Sequence, residues 1–329
     1  MAENQRRKIL IAAGAVVCLP RWASAQTSGR RYRIGWMASN AQALKEPQAL
    51  AFVRRLAELG FVEGRNLDIE RRHFGGRLDR LAAVSADLAK VRCDAYFGSG
   101  GESNLAGLTQ ADRQTPIVFV AVDFDPVATG DVASLSRPGG RVTGVTALQS
   151  ALPAKRLELL MELLPSAHRV AVLGNEETAA QLQLVQGTAR RVGLELHLVD
   201  LKRPPFDYAA AFAEAARARV DALLVLGSGL FVPARHLITQ KAIESRLPTI
   251  FHNSQWTDAG GLMSYGFNFP AMWRRGAELM AEVLRGAKPA DIPMEQPTNY
   301  ELVFNLKTAK TLGVTIPQPL LLRADRVVE

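Results

Sequence analysis

The same order of strand-like and helix-like segments runs twice along this chain, and that duplication limits its fold more than any other feature of the sequence. In the first pass, Tyr32 to Met37 is an apolar strand, Pro47 to Leu59 an amphipathic helix, Leu67 to Glu70 a strand and Leu78 to Lys90 a helix. Cys93 to Phe97 is a third strand running into Gly98-Ser-Gly-Gly-Glu102; a helix follows, and Pro116 to Val122 closes the unit. In the second pass, Arg169 to Leu173 is a strand, a helix runs to about Val192, Leu194 to Val199 is a strand and Tyr208 to Ala218 a helix. Val220 to Leu226 then leads into Gly227-Ser-Gly229, a helix runs to Ser245, and Pro248 to Phe251 is the last strand. The units align in detail: Arg92-Cys-Asp94 matches Arg219-Val-Asp221, and Gln114-Thr-Pro-Ile117 matches Arg246-Leu-Pro-Thr249.

Repeated strand-helix units imply parallel sheets, so the fold class is α/β with two doubly wound, Rossmann-like lobes. Ligands of such sheets bind beyond the carboxyl ends of the strands, which places the site in a cleft between the lobes. At 329 residues, 48% hydrophobic and 22% charged, the chain is long enough and ordinary enough for two such cores.

The mid-chain stretch from Asp123 to Val145 reads as turn chemistry leading from the first lobe towards a hinge, through Asp125-Pro126, Arg137-Pro-Gly-Gly140 and the Thr143-Gly144 pair. Hinges are expected near Thr146 to Ser150, at the Gly260 to Gly266 return and at Pro293 to Thr298. The expected lobes are residues 32–146 with about 267–297, and 147–266 with about 298–329. After the second crossing, Met272 to Leu284 reads as a helix, Tyr300 to Phe304 as a strand and Lys307 to Leu312 as a helix ended by Gly313.

Residues 1–25 read as a secretory signal peptide: Arg6-Arg7-Lys8 is basic, Ile9 to Leu19 is apolar and Ala23-Ser-Ala25 is a small-residue cleavage site. The apolar run is too short for a bilayer that needs ~20 residues. Cleavage after Ala25 leaves Cys93 as the sole cysteine, so no internal disulfide is expected. It also leaves 36 basic against 31 acidic residues, a modest +5, with no long run of like charge to support nucleic-acid binding.

Several spaced stretches carry a family resemblance: Glu58-Leu-Gly-Phe-Val-Glu-Gly-Arg-Asn66, Asp125-Pro-Val-Ala-Thr-Gly130 with Ser136-Arg-Pro-Gly-Gly140, Gly260-Gly-Leu-Met-Ser-Tyr-Gly266, Pro289 to Pro297, Asn305 to Gly313 and Arg323-Ala-Asp325. Together they resemble the ABC-transporter substrate-binding proteins of the tryptophan/tyrosine type, within the type I periplasmic-binding-protein fold. The resemblance implies a periplasmic Venus-flytrap receptor, expected as a monomer, that captures a small organic solute such as an amino acid or aromatic compound. Its implied partners are that ligand and an ABC permease with its ATPase; no cofactor is implied.

Within that cleft, Ser99, Gly100, Gly101, Glu102 and Ser103 open a helix whose backbone N–H groups can hold a carboxylate, and Ser228 sits in the corresponding second-lobe turn. The first turn serves equally as a plain strand-to-helix connection, and for the second that plain connection is the favoured reading. The resembled family often carries a threonine-containing turn where Ser99 to Gly101 stands, and Glu102 here would answer an amine or oppose a carboxylate. Asp123 and Asp125 end the last strand of the first lobe, with Asp125 read mainly as a helix cap. Trp36, Phe231 and Trp256 can stack on a planar or cationic ligand or pack within the lobes. Ser39 with Asn40, and Asn253 with Ser254, follow strands and can hydrogen-bond a ligand or cap helices.

Catalysis is poorly supported. The five histidines have no metal-binding spacing, Cys93 lies at a strand onset and no G-x-S-x-G elbow is present. Asp123 with His252 is the one acid-base pair an exported enzyme using the same cleft would offer. A sensory or regulatory binding protein is the other alternative.

Overall fold

Apolar residues run almost unbroken along most of the central strands, and both faces of each sheet are covered by helices, as parallel strands require. The structure, a computed structural model, describes residues 29–122, 124–147, 152–202, 204–297 and 300–329. Arg31–Glu329 form one compact unit. In chain order the first part comprises β1 (Tyr32–Ala38), α1 (Pro47–Glu58), β2 (Leu67–His73), α2 (Leu81–Ala89), β3 (Ala95–Gly100), α3 (Glu102–Ala111), β4 (Ile117–Val122) and β5 (Val142–Ala147). There follow α4 (Leu152–Leu163), β6 (Arg169–Gly174), α5 (Ala179–Val192), β7 (Glu195–Asp200), α6 (Tyr208–Arg217), β8 (Ala222–Val225), α7 (Arg235–Glu244), β9 (Thr249–Phe251) and α8 (Ser254–Asp258). The chain ends with β10 (Met263–Phe267), α9 (Phe269–Leu284), β11 (Tyr300–Asn305), α10 (Leu306–Leu312), α11 (Gln318–Leu322) and β12 (Arg326–Val328).

Two sheets result. The first is parallel, in the order β2-β1-β3-β4-β5, and the second runs β12-β11-β10-β9-β8-β6-β7 with β10 and β11 antiparallel. In the first sheet Ile34, Trp36, Phe97, Val118 and Val120 join Phe52 of α1 and Trp273 of α9 in one core, while Tyr96, Phe119 and Ala121 join Leu105 and Leu108 of α3 in another. The second sheet divides the same way: Val170, Val172 and Leu224 pack with α4 and α5, and Ala171, Leu173, Leu223 and Val225 with α6 and α7. Successive residues facing opposite cores are the direct result of the two-residue period of a strand.

Two segments differ from their expected form. Thr143-Gly144 is no turn but the middle of β5, where both residues are buried. A Cβ at Gly144 would lie 1.8 Å from the Phe119 carbonyl oxygen, and its φ is +148°, so glycine is required by close strand approach. Likewise Met263–Phe267, most of the Gly260 to Gly266 return, is β10; a Cβ at Gly266 would lie 2.0 Å from the His252 carbonyl oxygen. The crossing comes one step later, where the Asn268 side chain accepts from Ala271 N at 2.8 Å and starts α9, which packs on α1. The chain then runs beside β5, with Glu295 N donating to Gly144 O at 2.9 Å and Thr146 N to Glu295 O at 2.8 Å, before β11 returns to the second sheet.

Candidate ligand cleft

Strand order locates two crevices. From β1 the chain moves outward to β2 and then back across to β3; from β6 it moves outward to β7 and back to β8. At each reversal the flanking helices leave to opposite faces, so a crevice opens beyond the carboxyl ends of β1 and β3, and of β6 and β8. Ser39, Asn40 and the Ser99–Ser103 turn border the first. Asn175, Glu176, Glu177 and the Gly227–Gly229 turn border the second.

These carboxyl-end loops meet across the molecule. Arg235, beyond β8, donates through Nη1 and Nη2 to Glu46 Oε2, both at 3.2 Å, and Glu46 lies in the loop between β1 and α1. Gln255, beyond β9, donates to Gln48 at the start of α1 and accepts from Arg235 Nη1 at 3.4 Å. The two sheets therefore face each other with the carboxyl ends of their strands.

In the first crevice, β3 runs to Gly100, whose φ of +116° turns the chain, and Gly101 begins α3. A Cβ placed on either glycine would meet no atom within 4 Å, and Gly101, Glu102 and Ser103 are exposed. Asn104 is buried beneath them and donates from Nδ2 to Ser99 O at 2.7 Å, which fixes the turn from inside. Ser39 O accepts from Gly76 N at 2.8 Å, and Asn40 Oδ1 accepts from Ala43 N at 2.9 Å, so Asn40 caps the short turn ahead of α1. Asp125 accepts from Val127 N at 2.9 Å, but the residues after it form a turn and no helix. Its expected helix cap is thus a turn closure, because Pro126 and Gly130 bracket too few residues for a helix. Asp123 lies outside the described residues.

The second crevice is built more tightly. Gln181 of α5 clamps Gly227 from both sides, donating from Nε2 to Gly227 O at 2.8 Å and accepting from Gly227 N at 3.0 Å. Ser228 Oγ accepts from Asn175 Nδ2 at 2.9 Å and from Leu230 N at 3.1 Å, and donates to Glu177 Oε2 at 2.8 Å. Phe231 N donates to Ser228 O at 3.2 Å. The N–H groups of Gly227, Leu230 and Phe231 are thus engaged within the turn itself and by Gln181.

The three aromatic candidates lie inside the cores. Trp36 is 1% exposed, edge-on to Phe52 and Phe97; Phe231 is 0% exposed against Phe206 and Tyr208; Trp256 is 0% exposed and stacked on Phe251 at 5.0 Å. Their rings are covered by neighbouring side chains and present no face to the cleft, so of stacking on a ligand and packing within the lobes, the structure shows the packing. Asn253 is buried and caps α8, accepting from Gln255 N at 3.1 Å, and Ser254 is the first residue of that helix.

His252 is 6% exposed, and burial, reinforced by Arg156 and Arg235, pushes its pKa down to about 3. It is neutral at physiological pH. Cys93 has its thiol pushed up to about 11 by burial, so little thiolate exists at neutral pH. Among the described residues no group of three or more His, Cys, Asp or Glu side chains gathers to hold a metal ion, and no helix is long and apolar enough to cross a membrane.

Sequence reasoning alone misses Asn175 and Glu177. The repeat itself carries the signal, since Asn175 follows the first strand of the second unit as Ser39 and Asn40 follow that of the first.

Comparison with known proteins agrees with this geometry. The family profile described as ABC transporter substrate binding protein matches residues 48–328. A tyrosine-binding protein of Clostridioides difficile (strain R20291) is 25% identical over 266 residues, covering 80% of this chain and 75% of its own. Among solved structures, an ABC domain from Streptococcus pneumoniae in complex with L-Trp superposes with a TM-score of 0.76 at 23% identity, over 91% of this chain and 100% of its own. A ligand-free, open substrate-binding protein with adhesive properties from Clostridium difficile gives 0.65 at 21% identity, over 90% and 99%. With its sheets opening their carboxyl-end crevices towards each other and a family match running over most of its length, the chain belongs to the ABC transporter substrate-binding proteins.

Proposed function

We propose that the protein is a periplasmic receptor that captures an amino acid, foremost an aromatic one, between its two sheets and hands it to an ABC permease with its ATPase. The observation that carries this reading is the family match over residues 48–328, joined to two switch-point crevices held opposite each other through Glu46 and Arg235. The relatives named as binding tyrosine or carrying L-Trp support the aromatic choice. Residues 1–25, with their basic, apolar and small-residue order, support export.

In this reading the exposed start of α3, at Gly101, Glu102 and Ser103, receives the ligand carboxylate on free backbone N–H groups, with Ser39 and Ser99 beside it. A ligand touching both sheets favours the closed arrangement over the open one by its differential contacts, and the permease recognises the closed form. No cofactor takes part, and capture without chemical change is the whole of the activity.

The test is thermal shift of the mature protein, starting at Gln26, across the common amino acids. A rise in Tm with L-tyrosine or L-tryptophan and none with most others is expected. Indifference of the ligand-stripped, folded protein to every amino acid would overturn the proposal.

A further inference from the structure

We infer that the crevice between β6 and β8 receives the ligand's ammonium group, with Asn175 and Glu177 as its acceptors; this assignment rests on the receptor reading above. The hydrogen-bond balance at Ser228 carries it. A serine hydroxyl has one proton and two lone pairs. The proton goes to Glu177 Oε2 at 2.8 Å, and the lone pairs take Asn175 Nδ2 at 2.9 Å and Leu230 N at 3.1 Å. Ser228 therefore has no proton left for Asn175, and the amide is oriented with Nδ2 towards the serine and Oδ1 as a remaining acceptor.

Asn175 is 6% exposed, and its Oδ1 is buried without a hydrogen-bond partner among the described residues. Thr178 N stands in a capping-box arrangement with the Asn175 side chain but makes its hydrogen bond to the Asn175 main-chain carbonyl, at 2.9 Å. An acceptor buried in that way is costly unless something donates to it. Glu177, in contrast, is exposed, and among the described residues no cation pairs with it. Three donors of the opposite wall are engaged: Gly227 N is held by Gln181, and Leu230 N and Phe231 N by Ser228. A crevice where Asn175 Oδ1 and the Glu177 carboxylate meet no cation among the described residues, while the Gly227, Leu230 and Phe231 N–H groups are engaged, suits a cation carrying several N–H groups. A primary ammonium has three donors, enough to reach both Asn175 Oδ1 and the Glu177 carboxylate. Gln181 holds the Gly227 backbone in place, so these acceptors stand preorganised.

The test is calorimetry of the mature protein with L-tyrosine, tyramine, which lacks the carboxylate, and 3-(4-hydroxyphenyl)propionate, which lacks the amine. Wild type is expected to bind L-tyrosine and tyramine and to lose about 10- to 100-fold on removal of the amine, the usual scale for a hydrogen-bonded charge. Glu177→Gln, at an exposed position, and Asn175→Leu are expected to weaken L-tyrosine and tyramine by about tenfold each and to leave the propionate unchanged. Equal wild-type affinity for L-tyrosine and the propionate would overturn the assignment while leaving the receptor reading intact. The same holds if Glu177→Gln weakens all three ligands alike. Failure of wild type to bind any of the three would overturn the aromatic-receptor reading, and the assignment with it.

Discussion

Arg235, the first residue of α7, grips Glu46, the residue ahead of α1, through both terminal guanidinium nitrogens at 3.2 to 3.4 Å. The two side chains are 13% and 4% exposed, so this is a nearly dry ion pair that joins the loops of one sheet to those of the other. Any separation of these loops would break it and return both charges to water.

Such a pair adds to closure only while both partners are present; one left alone in the closed form is a buried charge without compensation. Arg235→Ala is therefore expected to shift the ligand-free protein towards the open form and to weaken ligand binding by about tenfold, with about 1–3 kcal/mol at stake for a charged hydrogen bond. Small-angle scattering reads the first effect as a larger radius of gyration, and calorimetry reads the second. Unchanged scattering and affinity would show that the pair plays no part in closure.

His252 gives the protein a defined acid sensitivity. Its pKa falls to about 3 in the folded protein from the ordinary 6.5, so below pH 6.5 the unfolded chain takes up a proton that the folded protein refuses. Stability is then lost as pH falls from 6.5 towards 3, at up to ~1.4 kcal/mol per pH unit from this one group. Asp112 acts in a separate, more acidic window: burial raises its pKa, but hydrogen bonds from Thr115, Tyr96 and Gln114 outweigh that and lower it from 3.8 to about 2. Urea unfolding at pH 7 and 5.5 isolates His252, and the slope is expected to flatten in His252→Gln. An unaltered slope in that variant would refute the assignment.

Two glycines make opposite demands. A Cβ at Gly144 meets the Phe119 carbonyl oxygen at 1.8 Å, whereas one at Gly187, inside α5, meets nothing within 4 Å. Gly144→Ala is expected to cost about 4 kcal/mol or more, or to prevent folding, and Gly187→Ala to stabilise by up to ~1 kcal/mol through helix propensity. Equilibrium denaturation of the two variants checks both signs.

The buried tryptophans give a further check. With residues 1–25 removed, the tryptophans are Trp36, Trp256 and Trp273, at 1%, 0% and 4% exposure. Trp256→Phe is expected to lower stability while keeping ligand affinity within about threefold, because the ring stacks on Phe251. A loss of tenfold or more in affinity, with the fold retained, would return Trp256 to the binding surface.

Much of this architecture is legible in the sequence, and the reasons for the exceptions are physical. Runs such as Arg169–Leu173 and Pro116–Val122 betray strands buried on both faces, and their alternation with amphipathic helices fixes the parallel sheets. β5 escapes notice because Thr143-Gly144 looks like a turn, and only the neighbouring Phe119 backbone explains that glycine. Trp36 and Trp256 sit at strand ends, where cleft and core positions have the same local pattern; their burial depends on Phe52, Phe97 and Phe251. Asn175 resembles an ordinary residue ahead of a helix until Ser228, 53 positions away, is seen to fix its amide. Glu46 and Arg235 are 189 positions apart, and nothing local to either announces the pair.

Capture of a small solute between the two sheets is open to direct observation by native mass spectrometry of the protein purified without denaturation. A one-to-one adduct with the mass of an amine-bearing small molecule is expected, lost on unfolding and restored by adding that compound. A folded protein that carries no adduct, and whose native mass is changed by none of the common amino acids, would contradict capture.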